Sequence, residues 1–145
     1  MLKKQIKYTD YDGVVRNENF YFNLSKAELM DLELGTVGGL RQMMQNIIDK
    51  QDVPKIIDTF KMLIYKSYGE KSPDGRRFIK SKELSEAFMQ TEAYSTLYME
   101  LISDGNAAAA FITGIVPADI SGAINEQKTE ESGNVSLLSD VTPKQ

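Results

Sequence analysis

The chain has 145 residues, 41% of them hydrophobic and 26% charged, with a net charge of −4 at pH 7. That balance suits one soluble domain large enough to bury a core, and it offers no long-range attraction to phosphate backbones or anionic lipid. Histidine, cysteine and tryptophan are absent, so thiol nucleophiles, imidazole bases and His/Cys metal sites are excluded and no cofactor is expected.

Residues 4–24 read as a β-hairpin. Ile6 and Tyr8 alternate with Lys7 and Thr9, and Phe20, Phe22 and Leu24 recur at period two on the return strand. Between them Asp10-Tyr11-Asp12-Gly13 supplies turn chemistry, with Gly13 free to take positive φ. The same DYDG run prompts a calcium test. With Gly13 at the sixth position of an EF-hand loop, Tyr8 falls at the first and Asn19 at the twelfth, where oxygen ligands and a bidentate Glu are needed. The turn reading is the better one.

Ser25-Lys26-Ala27-Glu28 is a capping-box pattern. It opens a short helix carrying Leu29, Met30 and Leu32, which Gly35, Gly38 and Gly39 end. A second helix is expected over Leu40, Met43, Met44, Ile47 and Ile48. Asp52-Val53-Pro54 restarts the chain, Asp52 as cap and Pro54 in a first turn. The third helix shows the strongest stripe: Ile56, Ile57, Phe60, Leu63, Ile64 and Tyr68, with Gly69 as its stop.

Residues 69–80 are expected to be a polar loop around the Pro73-Asp74-Gly75 turn. Lys71, Arg76, Arg77, Lys80 and Lys82 cluster there beside Phe78. Phe78 stacking on a base is one reading, and an anchor beneath a solvated loop is the other. An acidic protein suits the cluster better as a partner than nucleic acid does. Ser81 should cap a helix burying Leu84, Ala87 and Phe88. Thr91 should begin the next, with Tyr94, Leu97, Tyr98, Leu101 and Ile102 on one side. After Asp104-Gly105-Asn106, Ala107 to Val116 form a last helix, stopped at Pro117. From Ala118 the sequence turns polar and acidic without periodicity, as a disordered tail would.

Chemical motifs are otherwise thin. The glycines lack phosphate-loop spacing. Glu83/Glu86 and Asp49/Asp52 are carboxylate pairs at helical or near-helical spacing that a solvated face explains equally well. The methionines and tyrosines are more suggestive, since both types serve adaptable contact surfaces as readily as cores. Met89, Met99 and Phe111 are expected to be left exposed, on helices able to hold a partner's helix.

Three phrases together carry a resemblance: YTDYDGVVRNENFYFNLSKAEL, KSYGEKSPDGRRFIKS and TEAYSTLYMELISDGNAAAAFITGIVP. Across residues 4–117 the chain resembles the tail assembly chaperones of long-tailed bacteriophages and prophages of Gram-positive bacteria. The resemblance implies a non-enzymatic protein of the host bacterial cytoplasm that coats the tape measure protein, keeps it soluble, and helps recruit the major tail tube protein. It would leave before the virion is complete, and a frameshift-extended form of itself would be a further partner. Alternatives are a tail-completion or head–tail connector protein retained in the particle, and a nucleic-acid-binding regulator using Lys71–Lys82.

The expected fold is therefore α+β and mostly helical. An N-terminal hairpin packs on five or six short helices over residues 1–117, and residues 118–145 form the polar tail. Partner contacts are expected at Tyr94, Tyr98, Met99, Ile102, Phe111 and Ile115. No nucleic acid or membrane partner is expected, since no apolar run approaches the ~20 residues that a bilayer requires.

Overall fold

In the computed structural model, residues 1–35, 38, 39, 42, 43, 45 and 53–117 are described. Of the second helix expected from the sequence, Leu40, Met44, Ile47 and Ile48 lie outside them. So do the Asp52 cap and the whole 118–145 tail.

The N-terminal hairpin forms as the alternation requires. Strand β1 (Leu2–Thr9) pairs antiparallel with β2 (Val15–Phe22), Leu2 opposite Phe22 and Thr9 opposite Val15. Asp10 organises the turn. Its Oδ1 accepts from the N–H groups of Asp12 and Val14, both at 2.9 Å, while Arg16 donates to Oδ2. Gly13 takes φ of +83°, a conformation costly for any residue with a Cβ. Both carboxylate oxygens are thus engaged by the turn's own residues, Oδ2 by the Arg16 guanidinium.

The hairpin is not the whole of the β structure, although the sequence predicts only that pair of strands. Two further strands, β3 (Tyr68–Lys71) and β4 (Phe78–Ile79), extend it to a four-stranded antiparallel sheet in the order β1-β2-β3-β4. The expected polar loop 69–80 is thus a second hairpin. Its Pro73-Asp74-Gly75 turn is where expected, with Gly75 at φ +76° and its N–H bonded to Ser72 O at 2.9 Å. Strands of four and two residues are too short to show period two. Tyr68 accordingly belongs to a strand, not to the preceding helix, and sits opposite Phe22. Gly69 is no helix stop. A Cβ there would lie 2.6 Å from Ile79 O and 2.7 Å from the Phe78 ring, so glycine is what lets β4 close on β3.

Five helices are described: α1 (Lys26–Gly35), α2 (Val53–Ser67), α3 (Lys82–Met89), α4 (Glu92–Ser103) and α5 (Gly105–Ile115). Their starts follow the capping chemistry. Glu28 N–H donates to Ser25 Oγ at 3.2 Å while Glu28 Oε1 accepts from Ser25 N–H at 2.9 Å, a reciprocal capping box. Ser81 Oγ accepts from Leu84 N–H and Thr91 Oγ1 from Tyr94 N–H. Asp104 caps α5 by accepting from Asn106 and Ala107, so this helix begins at Gly105, two residues before the expected Ala107.

The helices cover one face of the sheet, and the core lies between them. Ile6, Phe22 and Leu24 meet Leu29, Phe60, Ile64, Phe88, Leu97 and Ile115, all nearly inaccessible to solvent. Phe22 is the hub. Its ring centroid stands 5.7 Å from those of Tyr68 and Phe88 and 5.4 Å from that of Phe111, in edge-to-face contacts. On α3 the buried residues are Phe88 and Ser85, whereas Ala87 is exposed and Leu84 half-buried. The small Ser85 lets α3 close on α2, donating to Tyr65 O at 2.8 Å.

Candidate functional site

Helix α4 carries most of the expected contact residues. Ala93, Leu97 and Leu101 are its buried stripe, and Glu100 fixes it to β1 by accepting from Lys4 at 3.1 Å. Because one side is so committed, the remaining apolar residues turn outward. Met99 is 61% exposed, and Tyr94, Tyr98 and Ile102 are half-buried along the flanks. Tyr94 and Tyr98 lie one turn apart with ring centroids 5.8 Å apart, and Tyr94 also meets the edge of Phe88. Burial, with Tyr98 nearby, pushes the Tyr94 hydroxyl above its ordinary pKa. It stays a neutral amphipathic ring at physiological pH.

Phe111 and Ile115 do not share this surface. They are 2% and 0% exposed, facing inward from α5, so the expectation of an exposed Phe111 is corrected. The run Ala107–Ala110 is apolar nearly all round, and periodicity could not say which side would be covered. Ile115 is further pinned by its carbonyl, which accepts from Leu24 N–H at 2.7 Å. Met89, also expected to be exposed, is half-buried.

The structure adds residues that the sequence reading passed over. Tyr11, which the sequence places only in the DYDG turn, is 76% exposed and donates to Glu92 Oε2 at 2.9 Å. This bond sets the hairpin tip against the first turn of α4. Glu92, Thr96 and Met99 recur at helical spacing on that side of α4, so Tyr11 and Met99 border one outward surface. A second exposed apolar pair is Met30 and Leu34 on α1, at 56% and 78%. An aromatic residue in a turn, and Leu34 one turn beyond Met30, were the signals available.

The basic cluster is dispersed. Lys80 Nζ donates to Glu28 Oε1 at 2.6 Å and to Lys66 O at 2.7 Å, and Lys82 pairs with Glu86. Lys71 instead lies over the Tyr21 ring, 5.6 Å from its centroid. Phe78 is half-buried and lies across Gly69 from strand β4, not beneath a solvated loop. Lys80 and Glu28 border a cleft of about 440 Å³ with Asp31, Leu32, Tyr65 and Ser81. Burial works against the Glu28 carboxylate, but Lys80 and the Ser25 N–H outweigh it and hold its pKa below the usual glutamate value. Among the described residues, no three carboxylates stand close enough to hold a metal ion.

The chain is thus a small α+β domain that presents apolar side chains on a well-packed helix and at a hairpin tip. The family model described as phage tail assembly chaperone matches residues 1–144, and the chain belongs to that family. No curated protein and no solved structure matches it.

Proposed function

We propose that the protein binds and solubilises the tape measure protein during tail building, making and breaking no covalent bond. The contact is made by the outer side of α4, through Tyr94, Tyr98, Met99 and Ile102, with Tyr11 extending it at the hairpin tip. Phe111 and Ile115 support that surface from beneath by fixing α5 under the sheet. The observation that carries this reading is Met99 standing 61% exposed on a helix whose other side is fully packed. A long partner helix with an apolar stripe is the natural complement to such a ridge. Repeated weak contacts along that helix would release together when tail tube subunits polymerise around it.

On this reading the protein works in the cytoplasm of a Gram-positive host, helps recruit the major tail tube protein, and is absent from the finished virion. A frameshift-extended form of the chain would share the same domain. Among the described residues, no helix is long and apolar enough to cross a membrane. The test is co-purification with a tape measure fragment. Tyr98→Asp should abolish it while leaving the circular dichroism spectrum unchanged. Undiminished capture by that variant removes α4 from the contact.

A further inference from the structure

The face of the sheet turned away from the helices is exposed along β1 and most of β2, while Phe78 covers Gly69 on β3, and it carries its own pattern. Lys3 and Lys7 of β1 stand on it, opposite Tyr21 and Asn17 of β2, and Gly69 continues the Lys3–Tyr21 row into β3. Lys71 shares that face and lies over Tyr21. None of the strand positions on this side holds an Asp or Glu, although the chain as a whole is acidic at −4. Lys3 and Lys7 are exposed and have no ion pair among the described residues, in contrast to Lys4, which reaches around to Glu100. Cations gathered on one side of the sheet of an acidic protein favour the approach of negative charge there.

We infer that this sheet face docks an extended, acidic polypeptide segment of another protein, held by Lys3 and Lys71 beside Tyr21 and by Lys7 further along β1. The spacing favours such a segment. Lys3 and Lys7 are four strand residues apart, roughly 13 Å, and an extended chain repeats its side chains on one side every ~6.7 Å, so carboxylates on alternate residues match them. Duplex nucleic acid carries one charge per ~1.7 Å of axis. Three ammonium groups would neutralise little of that, and the protein's net charge opposes its approach. Tyr21, opposite Lys3 and beneath Lys71, adds a half-buried aromatic ring beside these cations. This surface is separate from α4, so the inference stands whether or not α4 contacts the tape measure.

The test uses the full chain and a fluorescein-labelled poly-L-glutamate peptide, followed by fluorescence anisotropy at low salt (~20 mM). Binding should weaken about tenfold in K3E/K7E/K71E, by an intermediate factor in K3Q/K7Q/K71Q, and by less than about twofold in the helix control K61E. Melting temperatures confirm that each variant is folded. Absence of binding by the wild-type chain at low salt overturns the proposal, as does equal binding by the triple variants. Tighter binding of duplex DNA than of poly-glutamate would make the surface a nucleic-acid site. Tighter binding of a peptide with the sequence of residues 118–145 would make the occupant this chain's own acidic segment. Either result also overturns the proposal.

Discussion

Replacing Phe111 with alanine separates a core role from a contact role. The side chain is 2% exposed and its ring packs edge-on to Phe22 at 5.4 Å. Truncation removes that aromatic contact and leaves a cavity beneath the sheet, a change that costs ~3–5 kcal/mol. With an unfolding entropy of ~2.1 cal/mol/K per residue for a domain of this size, the melting temperature should fall by roughly 10–20 °C. Circular dichroism melts read the shift, and capture of a tape measure fragment well below the new midpoint reads function. The variant should still bind there, because Phe111 never reaches the surface. Loss of capture with an unchanged melting temperature would refute the reasoning and make Phe111 a direct contact.

Gly69→Ala should destabilise the fold by ~1–3 kcal/mol, because the new methyl meets Ile79 O and the Phe78 ring at 2.6 and 2.7 Å; urea midpoints check it. Asp104→Ala removes the α5 cap and should cost ~1 kcal/mol, with Asp104→Asn largely restoring it. Glu28 has a depressed folded-state pKa, so its contribution is present above the ordinary value of 4.5 and fades as pH falls through the folded value. The melting-temperature gap between wild type and Glu28→Gln should therefore be open at neutral pH and closed in acid; a constant gap would deny the Lys80 pairing its role. Tyr8 donates to Glu18 at 2.6 Å and its pKa is pushed up to about 12 by that bond. Absorbance titration should show a tyrosine ionising near 12, and Glu18→Gln should lower that transition by removing its largest cause.

Local chemistry made much of the fold legible. The capping residues Ser25, Ser81 and Thr91 fixed three helix starts, and Asp10 and Gly13 fixed the first hairpin. Strands β3 and β4 escaped because Tyr68 also satisfies the helical period of α2, and Gly69 looks like a helix stop until Phe78 is seen lying across it. Pairing with Phe22 decides the matter, and that contact spans more than forty residues of chain. On α4 the exposure of Met99 was legible, whereas Tyr98 and Ile102, read on one side with Leu97 and Leu101, stand half-buried beside that stripe. The burial of Phe111 was not legible, since the alanine-rich α5 gives no side to prefer. Tyr11 acquires meaning only through Glu92, a neighbour supplied by tertiary structure.

The most direct measurement of the central claim is the solubility of a long tape measure fragment expressed with and without this protein. The soluble fraction should rise sharply on co-expression, fall back when Tyr98→Asp replaces the wild type, and recover with Tyr98→Phe. A fragment equally insoluble in all cases, or this protein retained in purified virions, would contradict a chaperone that covers the tape measure and then departs.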